Sequence, residues 1–236
     1  MKEMKKEWKI EKEGRPTFII DYQPSKTIKA YKLVHIGKDS NSQHCVYPLY
    51  VNFKDEKWLM EQWYGAGRGS LFAEYDSNGN KTGKYKVKSK LGFLSYRPGI
   101  HLSSLPFAPH IYSKKPNFSD EKKISDFKNY DFSLTRFLKK NTMWAECEIN
   151  ANNDYTEEAL KNGRKISDGN ETFVAYKACL HESPNNGFYR YRTNINAPSY
   201  ETWYITAAFK INKILSDEEV TTILKANGIK NMERKK

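Results

Sequence analysis

Lys29-Ala30-Tyr31-Lys32-Leu33-Val34-His35-Ile36 is the stretch on which the fold turns. Taken two residues at a time, Tyr31, Leu33 and His35 share one side and Lys32 and Val34 the other. That is the period of a β-strand rather than of a helix.

Working outward, the same reading finds more strands. Upstream, Pro16 opens a short apolar strand, Thr17 to Ile20, preceded by alternating Lys and Glu over 1–14 that reads as a solvated arm or frayed helix. Downstream, VYPLYVNF (46–53) is a strand bent or edged at Pro48. MWAECEI (143–149) is a strand whose Trp144, Glu146 and Glu148 share a face, and TFVAYKACL (172–180) and FYRYRT (188–193) follow. ETWYITAAFKINKI (201–214) holds the longest strand candidate, and 91–111 is the densest apolar segment. Residues 112–142 read as a long polar connection.

Helix signals are few. Asn153 or Asp154 caps a helix to about Lys161, ended by Gly163. Ser216-Asp217-Glu218-Glu219 is a capping box for a second helix that Asn227-Gly228 closes. The expected fold is a single α+β domain, with a mixed, mostly antiparallel, split or curled sheet and a few peripheral helices. Residues 1–28 form a basic N-terminal arm and first strand, 29–228 the domain, and 229–236 a basic tail.

With 236 residues, 38% hydrophobic and 14% aromatic, the chain can bury a substantial core. Its three cysteines, Cys45, Cys147 and Cys179, are odd in number and lack a CxxC, which excludes a disulfide framework and a zinc ribbon. The N-terminus has no apolar secretion core, and no segment approaches the ~20 apolar residues of a membrane span, so a cytoplasmic protein is expected. Forty Lys and Arg against twenty-eight Asp and Glu leave a net charge of +12, which favours nucleic acid, nucleotides or another polyanion as partner.

Several chemistries are excluded by pattern. The glycines of Gly65-Ala66-Gly67-Arg68-Gly69-Ser70 lack the GK[ST] of a phosphate loop, and there is no HExxH, GxSxG or dinucleotide fingerprint. Lys84, Lys86, Lys88 and Lys90 alternate after the turn Asp76 to Asn80. They are either a polyanion-contacting stripe or edge lysines that block strand pairing. Glu146 and Glu148 are either an acid–base pair or carboxylates neutralised by lysines. Arg190 and Arg192, alternating with Tyr189 and Tyr191, are candidate nucleic-acid contacts through phosphate and stacked base, or ordinary strand-surface residues.

Three further segments stand in order: Leu33-Val34-His35-Ile36-Gly37, then Pro98-Gly99-Ile100-His101-Leu102-Ser103-Ser104 with Pro106-Phe107-Ala108, then Tyr200-Glu201-Thr202-Trp203-Tyr204-Ile205. This order resembles the diphtheria-toxin and poly(ADP-ribose) polymerase branch of the ADP-ribosyltransferases. That family has a strand reading LxxHGS, a G-x-G-I-Y-F-A segment and a late strand opening N-E-Y. The 91–111 segment with Tyr189 to Arg192 also looks like domains of phage or mobile-element proteins.

The resemblance implies NAD as substrate and no metal. His35 would hold the nicotinamide ribose, His101 would stand at the stacking tyrosine's place, and Glu201 would be the catalytic glutamate. Arg97, Gly99, Ser103, Ser104 and Trp203 would line the NAD site. Two departures are plain: His101 replaces a tyrosine and Ile36 interrupts the His-Gly pair. The expected activity is transfer of ADP-ribose to a nucleic acid or a nucleic-acid-associated protein. The alternative is a non-catalytic basic domain that binds nucleic acid or protein.

Overall fold

The computed structural model describes residues 7–12, 14, 17–38, 44–49, 57–67, 70–89, 92–95, 97–108, 142–161, 165–168, 171–174, 180, 182–192 and 202–229. The connection expected over 112–142 falls outside them save for Thr142, as do Lys90, Cys179 and Glu201.

In chain order the first strands are β1 (Glu7–Lys12), β2 (Thr17–Ile19), β3 (Thr27–Lys38), β4 (His44–Pro48) and β5 (Trp63–Ala66). Next come β6 (Leu71–Tyr75), β7 (Lys81–Ser89), β8 (Gly92–Ser95), β9 (Ile100–Ser103) and β10 (Thr142–Asn150). β11 (Asn153–Asp154) leads into helix α1 (Thr156–Leu160), followed by β12 (Lys165–Asp168), β13 (Glu171–Val174) and β14 (Gly187–Arg192). β15 (Thr202–Thr206), β16 (Ala208–Ile214) and helix α2 (Asp217–Ala226) complete the described chain.

Strands dominate, in two sheets. One runs β1-β6-β7-β8, and the larger runs β12-β13-β14-β15-β9-β3-β10-β16-β5-β2, with β4 on β3 and β11 on β14. β11 and β13 lie parallel to β14, while the long ladders β3–β10, β10–β16 and β14–β15 are antiparallel. The expected mixed, mostly antiparallel, strand-rich architecture is therefore present.

The decisive stretch sits at the centre of the larger sheet, and its alternation separates two cores. Tyr31 and Leu33 join Trp144, Tyr189, Tyr191 and Ile205 on one face, beneath Ala159 and Leu160 of α1 and Val220 and Leu224 of α2. Ala30 and Val34 join Ala145, Cys147, Ile149, Phe209 and Ile211 on the other, covered by Val46, Trp58 and Tyr64. Each fully buried aliphatic side chain contributes about 1.5–3 kcal/mol, so a sheet covered on both faces is held chiefly by these layers.

Helix α2 forms for local reasons. Glu219 N–H donates to the Ser216 hydroxyl at 3.2 Å, and Ser216 N–H donates back to the Glu219 carboxylate at 2.8 Å. The box satisfies end donors that a helix cannot satisfy itself.

Helix α1 is shorter than its capping signal implies. Asn153 and Asp154 are drawn into a parallel pair with Gly187 and Phe188, so Tyr155 takes the cap position and the helix begins at Thr156.

Three other expectations change. The arm read as solvated contains β1, paired with β6 from Glu7↔Tyr75 to Lys12↔Leu71. The long strand at 201–214 breaks at Ala207. There Thr206 Oγ1 lies 3.0–3.2 Å from the carbonyls of Asn150, Gly187 and Ala208, and the chain passes from the β14/β9 neighbourhood to that of β10/β5. The basic tail is anchored at its first residue, since Ile229 is buried in the core under α2.

Candidate functional site

β15, β9 and β3 are neighbours in that order, so the described strand residues of the three segments quoted above fall on three adjacent strands. The pairs Trp203↔Ser103 and Tyr31↔Ser103 join them into one row. Because side chains alternate along strands, His35, Tyr31, Ser103, His101 and Trp203 project from the same sheet face.

His101 anchors this face. Its Nδ1 lies 3.2 Å from the Tyr191 hydroxyl and its Nε2 3.3 Å from the Arg97 carbonyl. A carbonyl can only accept, so Nε2 carries the proton and Nδ1 accepts from Tyr191. The Arg97 guanidinium lies over the Tyr191 ring, 4.9 Å from its centroid. The result is a closed circuit of contacts: the Arg97 guanidinium on the Tyr191 ring, Tyr191 hydroxyl to His101, and His101 back to the Arg97 main chain.

Burial lowers the His101 pKa to about 4, with the Arg97 and Lys32 cations adding to the effect. Burial likewise raises that of Tyr191. The imidazole is therefore neutral at pH 7. Tyr191 packs against it edge to face, 5.9 Å between centroids. A ring held in this way serves as a structural hydrogen-bond partner rather than an open stacking surface.

The other candidates occupy varied places. His35 is half-buried near the end of β3, between Thr142 of β10 and Tyr47 of β4. Ser103 is fully buried and donates to the Phe107 carbonyl at 3.3 Å, which fixes the turn after β9. Ser104 N–H donates to the carbonyl of Thr202 at 2.9 Å. Trp203 is a core residue. Gly99 has φ +122, and an added Cβ would overlap the Ile205 side chain, so packing alone requires glycine there. Glu201 lies outside the described residues and directly precedes the first residue of β15.

The nucleic-acid candidates divide. Arg192 is 3% exposed opposite Thr202, which removes it from the surface role expected of it. Arg190 is half-buried and paired with Asp154 at 3.1 Å. β7 lies between β6 and β8, so edge protection is not what its lysines do. Lys86 is half-buried between Phe72 and Ser95 in that ladder, and Lys84 and Lys88 share its strand.

The Glu146 and Glu148 question resolves toward neutralisation. Glu146 pairs with Lys29 at 3.2 Å, and Glu148 lies 3.4 Å from Lys210 and accepts from Asn212 at 3.2 Å.

Two residues take places that the sequence does not mark. Tyr191, a base-stacking candidate by its alternation with arginine, is buried on the His101 face of the sheet. Lys32 sits on the apolar Ala30–Val34 side. Its Nζ donates to the His101 carbonyl at 2.8 Å and lies 5.5 Å and 5.7 Å from the rings of Trp58 and Phe209. Burial lowers its pKa to about 8 and raises that of the neighbouring Cys147 thiol to about 12.

Among the described residues no group of His, Cys, Asp and Glu is arranged to hold a metal, and no helix is long and apolar enough to cross a membrane. In comparisons with known proteins, no family model, curated protein or solved structure matches this chain.

Proposed function

We propose that the chain is an ADP-ribosyltransferase-like enzyme that uses NAD. The observation that supports this reading is the adjacency of β15, β9 and β3. These three strands carry the resembling segments, from parts of the chain more than sixty residues apart. β3 pairs with β9 at Tyr31↔Ser103 and takes up β4 from Val34 onward, leaving a fork beside His35.

In this reading His35 hydrogen-bonds the nicotinamide ribose, and Glu201 stabilises the oxocarbenium character that develops as the nicotinamide bond breaks. His101 departs from the family role. Its ring does not fit a stacking surface, so it acts as a positioning residue that holds Arg97 and Tyr191. The acceptor is a nucleic acid or a nucleic-acid-associated protein, supported by the +12 charge.

The test is nicotinamide release from NAD by the full chain, with DNA, RNA or lysate as acceptor, beside Glu201→Gln and His35→Ala. Release by wild type that both variants abolish is the expected result. No release and no NAD binding under any condition ends the enzymatic reading.

A second reading is a basic nucleic-acid-binding domain without catalysis, favoured by the interior position of β7. Polyanion binding whose salt dependence flattens when Lys84, Lys86, Lys88 and Lys90 are all changed to Ala supports that reading.

A further inference from the structure

On the sheet face opposite His101, a groove of about 230 Å³ opens between the start of β3, the turn after β10, and strands β14 and β15. Its apolar part is Ile28 with Phe188 and Tyr204, whose rings meet edge to face at 5.8 Å. Two cations stand on it: Lys26, which is exposed, and Arg190. Against them stands one carboxylate, Asp154, which accepts from the Arg190 guanidinium at 3.1 Å.

The polar wall is built in advance. Asn152 accepts from Lys26 N–H at 2.8 Å and from the Ser25 hydroxyl at 3.0 Å, and it donates to Asn186 at 3.0 Å. Asn150, fully buried beneath it, donates to the same Asn186 oxygen at 2.8 Å. Ala151 N–H donates to the Lys26 carbonyl at 2.9 Å, so the Lys26 backbone is fixed from both sides. A groove held by this many internal bonds loses little freedom when a ligand enters.

We propose that this groove binds a single nucleotide, with its base against the half-buried Tyr204 ring, which the buried Phe188 backs, and its phosphate between Lys26 and Arg190. Aromatic faces accept any base by stacking, and a guanidinium with an ammonium matches a phosphate. The volume suits one nucleotide better than a dinucleotide. The site is separate from the transferase reading, because it lies on the other side of the sheet from His35 and His101.

The experiment is calorimetric titration of the full chain with AMP, adenosine and inorganic phosphate in parallel, plus a short single-stranded oligonucleotide. Saturable AMP binding below about 1 mM is expected, with adenosine and phosphate each about tenfold weaker. Lys26→Glu changes an exposed residue, so it should weaken AMP about tenfold at unchanged melting temperature and leave adenosine unaffected. Tyr204→Ala should weaken AMP and adenosine together. Tighter binding of the oligonucleotide identifies a nucleotide within a strand as the natural ligand, and equal binding a free one; both support the site. Phosphate binding as well as AMP, no response to Lys26→Glu, or no AMP binding overturns the proposal. Nicotinamide release, if present, should be indifferent to Lys26→Glu, so the two readings fail separately.

Discussion

Lys32 Nζ donates to the main-chain carbonyl of His101 across two strands whose ladder contact is the pair Tyr31↔Ser103. The ammonium takes the place of a backbone donor where β3 and β9 part, and so connects the central strand to the His101 circuit. The cost is a buried charge. Burial lowers the Lys32 pKa from 10.5 to about 8, so between these values the unfolded chain holds a proton that the folded chain has released. Stability therefore rises as pH increases above 8. The urea midpoint of wild type should climb between pH 8 and about 9.5, and Lys32→Met should lack this climb. Identical profiles would place the lysine in water.

His101 acts with the same sign in an acid window. Its folded pKa of about 4 lies below the usual 6.5, so from pH 6.5 downward the unfolded chain takes up a proton that the folded chain refuses. The stabilisation is full above pH 6.5 and is lost as pH falls through 4, up to about 3 kcal/mol. His101→Gln should flatten that part of the pH profile, at some cost at neutral pH from the altered circuit. A histidine resonance titrating near 6.5 and assigned to His101 would refute the buried circuit.

The regions legible in the sequence are those governed by local rules. The alternation at 29–36 and the capping box at 216–219 each carry their reason within a few residues. β1 is hidden in the sequence although Trp8 and Ile10 alternate in the strand period, because the flanking Lys and Glu dominate the pattern. Helix α1 is shorter than its local signal because Asp154 is a good cap locally, while its pairing with Phe188 is a tertiary event. The break at Ala207 depends on carbonyls of Asn150 and Gly187, remote in sequence, so no local period marks it. The same limit hid the circuit: His101 and Tyr191 are ninety residues apart, and only the register of β9, β15 and β14 brings them together.

Glycine substitutions should separate packing from backbone strain. A Cβ on Gly187 would overlap the main-chain oxygen of Asn153, and backbone stands on both sides of that contact. Gly187→Ala should cost more than about 2 kcal/mol and lower the melting temperature by several degrees. Gly79, with φ +81 in open space, bears only the conformational penalty of about 1–2 kcal/mol. Equal losses for Gly187→Ala and Gly79→Ala would show that the turn after β10 yields.

The catalytic reading meets its hardest test at position 101. In the transferase family proposed for the chain, tyrosine stands there, so His101→Tyr would restore the family pattern if the side chain faced an open cleft. The circuit argues otherwise. A phenol has one oxygen and cannot both donate to the Arg97 carbonyl and accept from Tyr191 at the two ring-nitrogen positions, and its greater length presses on a buried site. His101→Tyr should therefore lower the unfolding midpoint and, if NAD is cleaved, lower the rate of nicotinamide release rather than raise it. Glu201→Gln should behave differently, cutting release by about 10²–10³ with the midpoint unchanged, because the lost term is electrostatic stabilisation of the transition state. Measuring both quantities for both variants separates positioning from chemistry. Faster release by His101→Tyr at unchanged stability would return position 101 to a stacking role and break the circuit's claim on it.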